Sequence, residues 1–241
     1  MYTNNKYRFH PPFFEIGPKN YIYGPDVVDL ARIADEAAEK YKIHVIFTAP
    51  YVNIAQVAGA TKNLYVFAPH MDAGPVGRGL ADVLPEAVCA AGACGVMLNH
   101  TERPLTIPTL IHTIGRARKL DLMTIVCASS ISETSAVAEL HPDLIVSEPL
   151  ELIGSGNAVG DGFVEAAMKA VRSVDQNIGV LVGGGVSSGE DAYKIIKAGA
   201  DATGSSSAIA LSENPKKIID EMLAGVRQAW DERIQVQKWV G

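Results

Sequence analysis

The chain has 241 residues, 48% hydrophobic and 20% charged, with a formal net charge of −6. That is ample apolar sequence for a large core, while the acidic balance argues against nucleic acid or an anionic membrane surface as a partner, since either requires a basic face. No secretory h-region and no apolar run near about 18 residues is present. The three cysteines (Cys89, Cys94, Cys127) show no metal-type spacing, cannot all pair, and read as thiols of a reducing cytoplasm. Neither a metal nor a cofactor is expected.

Taken in chain order, short β-rich runs alternate with helical patterns. The first strand, FFEI (13–16), is followed by a helix over 26–41, whose Val27, Leu30, Ile33, Ala34 and Ala37 form one stripe, with acids early and Lys40 late. Strands follow at 44–49, 64–68, 95–98, 122–127, 143–147, 178–182 and 200–204. They are continuous apolar runs, the pattern of strands buried on both faces of a parallel sheet. A helix over 190–200 ends near Gly199, and another over 214–230 opens on Asn214-Pro215, an N-cap and first-turn pair. Eight such units in a single domain (1–241, with short terminal extensions) predict a closed (β/α)8 barrel; a doubly wound open sheet fits the same pattern.

In a barrel, functional groups gather in the loops after the C-terminal strand ends. Five of these corners are polar or glycine-rich. Lys19 follows the first strand; His100, Glu102 and Arg103 follow the fourth; Glu148 ends the sixth and opens a long loop. GGGVSSGED follows the seventh and GSSSA the eighth. Glycines after a strand, with a helix starting nearby, turn backbone N–H groups and the positive end of a dipole toward an anion. Two adjacent corners of that kind predict a phosphate site. A lone strand-end histidine is more often structural, a lone carboxylate more often a cap, a lone lysine more often solvated. Together at one barrel mouth they suit proton abstraction beside a carbonyl. His10, His44, His112 and His141 are given no role.

These residues resemble the triosephosphate isomerase family, in its short archaeal-type branch. The likeness runs from about Phe13 to Trp230 and is most specific in LNHTER (98–103), SEPLELIGSG (147–156) and GGGVSSGEDA (183–192). The resemblance implies a barrel fold and an aldose–ketose isomerase of a small sugar phosphate. Glu148 would be the base, His100 a neutral electrophile with a pKa lowered by its place ahead of a helix, and Lys19 the source of positive potential. Glu102 would hold the lysine. The family itself is the familiar illustration of this Glu/His pairing and of lid closure, so these roles are carried over. Residues 149–156 would form the lid, with Gly154 donating to phosphate, and Gly185, Ser206 and Ser207 would complete the cradle through their backbones. A cytoplasmic homo-oligomer, dimer or tetramer, is implied.

The chain departs from the family at two corners. Gly17 and Pro18 precede Lys19 where N-x-K is usual, which opens space and leaves a longer phosphorylated ketose, such as a tetrulose phosphate, as an alternative substrate. Pro69-His70 and Leu80-Ala81 replace Gln-Asn and Thr-Gly in the third loop, where the family docks its neighbouring subunit. A phosphate-binding barrel without catalysis is the remaining alternative. The tail beyond Trp230 extends past the expected end, to pack on a partner or to fray.

Overall fold

The computed structural model describes the backbone of residues 10–240 and the side chains of residues 10–235. The first nine residues of the N-terminal extension and Gly241 lie outside the described residues. The strands are β1 (Phe13–Ile16), β2 (His44–Thr48), β3 (Leu64–Ala68), β4 (Gly95–Leu98), β5 (Met123–Ala128), β6 (Leu144–Ser147), β7 (Gly179–Val182) and β8 (Ala202–Ser205). All neighbours pair in parallel, and β1 pairs with β8 in register Phe13↔Ala202. That last pairing closes the barrel and sets aside the open sheet.

The unbroken apolar runs now have their reason. One face of each strand packs inward: Phe13, Ile46, Phe67, Met97, Ile125, Leu144, Leu181 and Ala202 fill a core to which no helix contributes. The alternate residues, among them Phe14, Val45, Val66, Val96, Val126, Ile145 and Val180, pack under the helices in a second core. Interior volume is shared between large and small partners. A Cβ on Gly95 would stand 2.2 Å from the Phe67 ring, and one on Gly179 2.3 Å from Leu144. Those glycines are the room their neighbours occupy.

Around the barrel run α1 (Pro25–Tyr41), α2 (Ile54–Ala60), α3 (Pro85–Ala90), α4 (Ile107–Lys119), α5 (Ile131–Ala138), α6 (Asp161–Arg172), α7 (Gly189–Lys197), α8 (Ser207–Ala210) and α9 (Pro215–Val240). Helix α1 buries Val27, Leu30, Ala34 and Ala37 as its stripe requires; Ala31 is buried with them, whereas Ile33 is only partly covered. Strand β8 starts at Ala202, two residues late. Asp201 precedes it because its carboxylate accepts from Val180 N–H (2.9 Å) and pairs with Arg172, tying the entries of two strands together.

Helix α9 opens as expected, with Asn214 Oδ1 accepting from Lys217 N–H at 3.1 Å, but it does not stop at Trp230. The start of the tail packs on its own chain. Glu232 accepts from Tyr193 Oη (2.8 Å) and Lys197 (2.6 Å), and Arg233 donates to the carbonyls of Ile196, Gly199 and Ala200 at the end of α7. The two helices approach backbone to backbone, since a Cβ on Gly225 would lie 2.2 Å from Gly189 O. This clamp holds the first turn of α7, and with it the glycine corner after β7. Among the described residues no helix is long and apolar enough to cross a membrane.

Candidate active site

At the C-terminal ends of the strands lies a cavity of about 370 Å³, within the range of small-molecule sites. Its wall includes Lys19, His100, Glu102, Glu148, Gly154, Gly185, Ser206 and Ser207. Five loops, from Lys19 in the first to Ser207 in the last, therefore reach one ligand-sized space.

The corner after β4 is shaped by Asn99, whose φ of 58° is left-handed. Asparagine tolerates that region because its short amide can bond locally. Here Asn99 Nδ2 donates to Cys127 O (2.9 Å) and Oδ1 accepts from Leu105 N–H (2.9 Å). The side chain straps the loop to β5, and the chain turns sharply enough to bring His100 to the cavity. Sequence reading gave Asn99 no part; its place between a buried strand and a histidine was the available sign.

His100 Nδ1 accepts from Glu102 N–H at 3.2 Å. An accepting Nδ1 leaves the proton of a neutral ring on Nε2. The pKa is lowered, but not for the reason anticipated. Helix α4 begins only at Ile107, with Thr106 as its cap, so His100 lies several residues ahead of its first turn. Burial lowers it first and the Lys19 charge second, against the opposing pull of Glu102.

Lys19 also sits at a left-handed φ of 49°, and its Nζ donates to Glu102 Oε1 at 2.8 Å. With the glutamate side chain 63% exposed, that pair contributes at most about 1 kcal/mol to folding. Its effect is to place the ammonium. Glu148 stands against the glycine corner: its carboxyl is pushed above the ordinary range by burial, with Lys19 and the Gly184 N–H acting the other way.

Gly184 and Gly185 have φ of 103° and 68°, and a Cβ on Gly185 would lie 2.1 Å from Asn157 O. Only glycine lets the long loop after β6 close over this corner. In that loop Leu150–Leu152 form a single 3-10 turn, and Gly154 and Gly156 again have positive φ. Ser206 Oγ donates to Gly17 O (2.6 Å), which joins the last corner to the first. Behind the third corner, buried His70 lies 3.3 Å from Asp72, whose other oxygen accepts from Val83 N–H (2.7 Å). Asp72 thus ties the two ends of the third loop together, its N–H also donating to Val83 O at 2.9 Å, and His70 braces Asp72.

One cavity group was missed altogether. Glu15, in the middle of the apolar strand FFEI, points inward to the floor, where Thr48 Oγ1 donates to Oε1 at 2.6 Å. Its pKa is pushed up to about 7, chiefly by burial, with Glu148 adding to the rise while Thr48 and Lys19 oppose it. Alternation within the strand could have flagged it, since inward Phe13 is two residues away. Among the described residues no cluster of His, Cys, Asp or Glu is placed to hold a metal ion.

A half-buried carboxyl, a neutral imidazole and an ammonium at the mouth of a closed parallel barrel, beside glycine- and serine-rich corners, define a class: a barrel enzyme with the groups for acid–base chemistry on an anionic ligand. Residues 26–222 match the family model described as triosephosphate isomerase. The chain is 32% identical to a triosephosphate isomerase of Sulfolobus acidocaldarius over 92% of its own length and 98% of the relative's. It is 34% identical to that of Sulfurisphaera tokodaii over 92% and 99% of the two chains. With that of Methanobacterium bryantii the identity is 32% over 84% and 91%. The chain belongs to the triosephosphate isomerase family and is of its archaeal type.

Proposed function

We propose that the chain is a triosephosphate isomerase, interconverting D-glyceraldehyde 3-phosphate and dihydroxyacetone phosphate. The observation that carries the proposal is the meeting of Glu148, His100 and Lys19 with the glycine corners in one cavity. Glu148 takes the proton from the carbon next to the carbonyl and returns it to the neighbouring carbon. His100 donates Nε2–H to the substrate oxygen on which charge develops, and the Lys19 ammonium, held by Glu102, stabilises the same charge. Backbone N–H groups of Gly154, Gly185, Ser206 and Ser207 bind the phosphate. Closure of residues 149–156 excludes water, and so restrains the enediol from losing phosphate by elimination.

The test is a coupled assay in both directions across pH. Activity requires Glu148 ionised and His100 neutral. Because burial raises the first and lowers the second, kcat/KM is expected to fall as acid protonates Glu148, with a midpoint above the ordinary glutamate value of about 4.3. Absence of turnover on both trioses would refute the proposal. A midpoint at the ordinary value would refute the role of burial.

We further place the protein in the cytoplasm, and as a homo-oligomer that associates through the third loop. There Leu80 is fully exposed and Val76 69% exposed. A bare leucine on a loop pinned at both ends by Asp72 suits burial against a neighbour. Leu80→Arg is expected to reduce the light-scattering mass to that of one chain; an unchanged mass would exclude this loop as the contact.

A further inference from the structure

Glu15 has no part in the reaction just described, yet it occupies the cavity floor. Its strand partners are Ile46 on β2 and Gly204 on β8. Thr48 holds Oε1, and among the described residues Oε2 has no hydrogen-bond partner. Space around the carboxyl depends on glycine: a Cβ on Gly17 would stand 2.9 Å from Oε1, and one on Gly204 3.2 Å from Oε2. The nearby ammonium of Lys19 is engaged by Glu102.

Folding does not account for such a group. An ionisable side chain under a barrel mouth carries a desolvation cost that an apolar residue would avoid. A ligand does account for it. One oxygen is fixed by Thr48, and the other is open to donate to or accept from a hydroxyl, since its raised pKa keeps both forms populated near neutrality. A triose phosphate offers nothing further to meet it: apart from the phosphate, its two oxygens are the reacting pair and belong to His100 and Lys19. We infer that Glu15, Thr48 and Gly17 form a hydroxyl subsite, through which the same site also isomerises four-carbon ketose phosphates whose reacting carbon remote from the phosphate carries a hydroxymethyl group.

This rests on the isomerase reading above, and the bond changes are the same. Glu148 removes the C–H proton of the carbinol carbon, whose electron pair becomes the enediol double bond, and returns it to the adjacent carbon. The hydroxyl proton passes by way of His100 from one oxygen to the other. A tetrulose 1-phosphate becomes a tetrulose 4-phosphate without net oxidation.

Binding and turnover are tested separately. Calorimetry with two unreactive polyol phosphates, glycerol 3-phosphate and erythritol 4-phosphate, compares wild type with Glu15→Val and Glu15→Gln. Wild type is expected to favour the four-carbon ligand by at least about tenfold, as for a well-made hydrogen bond to a partly charged group. Glu15→Val is expected to shift the ratio at least about tenfold toward glycerol 3-phosphate, with Glu15→Gln in between because it keeps a donor and an acceptor. The same ratio in wild type and Glu15→Val overturns the subsite. In turnover, tetrulose 4-phosphate is expected to reach at least a tenth of the kcat/KM of dihydroxyacetone phosphate, and a lower value overturns the added activity. Loss of turnover on both substrates, with the erythritol phosphate preference intact, sinks the isomerase reading and the tetrulose activity while the subsite stands.

Discussion

Glu148→Gln is expected to lower kcat by about a thousandfold or more in either direction, with the affinity for glycerol 3-phosphate changed by only a few-fold. The amide keeps the shape of the side chain and can still accept from Gly184 N–H, but it cannot take a proton. General-base catalysis by a positioned group contributes about 10²–10⁴-fold, and under the proposed mechanism Glu148 is made a stronger base by a setting that disfavours its charge. Glu148→Asp is the sharper version, because it keeps the carboxylate and withdraws it by one methylene. A misplacement of that size costs on the order of a hundredfold. Full activity in either variant would mean that another group is the base. Glu15 on the cavity floor would then be the obvious replacement, so the pH profile of the variant tells the two carboxyls apart.

Lys19→Met is expected to lower kcat/KM by at least about a hundredfold, with a substantial part in KM, because in the proposed mechanism one ammonium serves both the anionic ground state and the charge that grows on the substrate oxygen. Glu102 would lose its partner at 2.8 Å and its lowered pKa would rise toward the ordinary value. His100 would lose a neighbouring cation that helps keep it neutral, so its pKa would move up. Glu148, whose pKa Lys19 also holds down, would rise as well, so the acid limb of the profile should move to higher pH along with the loss of rate. Lys19→Arg is not expected to restore activity, since a planar guanidinium cannot occupy a point-charge position reached from a left-handed residue. A loss confined to kcat, with KM and the acid limb unmoved, would remove Lys19 from substrate binding.

Much of the barrel was legible before any coordinates. Bounds of β1, β3 and β4 match, and the other strands differ by one or two residues. Buried parallel strands are written as unbroken apolar runs, and that pattern survives any change of neighbours. The corner residues were legible as well, because a polar or glycine-rich stretch directly after such a run has few places to go but the mouth. The tail was less legible. Helix propensity continued past Trp230, but its purpose lay in Glu232 and Arg233 meeting the end of α7, a contact between segments some 35 positions apart.

By itself the chain determined which side chains alternate inward and outward, where glycine frees the backbone, and therefore the barrel and the loops that carry its chemistry, since all of these depend on local periodicity and backbone freedom. Only the tertiary structure decided what surrounds each group. It is packing between distant strands that leaves Glu15 half-buried beside Thr48 and Gly204, Lys19 joined to Glu102, and the His100 pKa lowered by burial and a nearby ammonium, because desolvation and charge act through space and not along the chain.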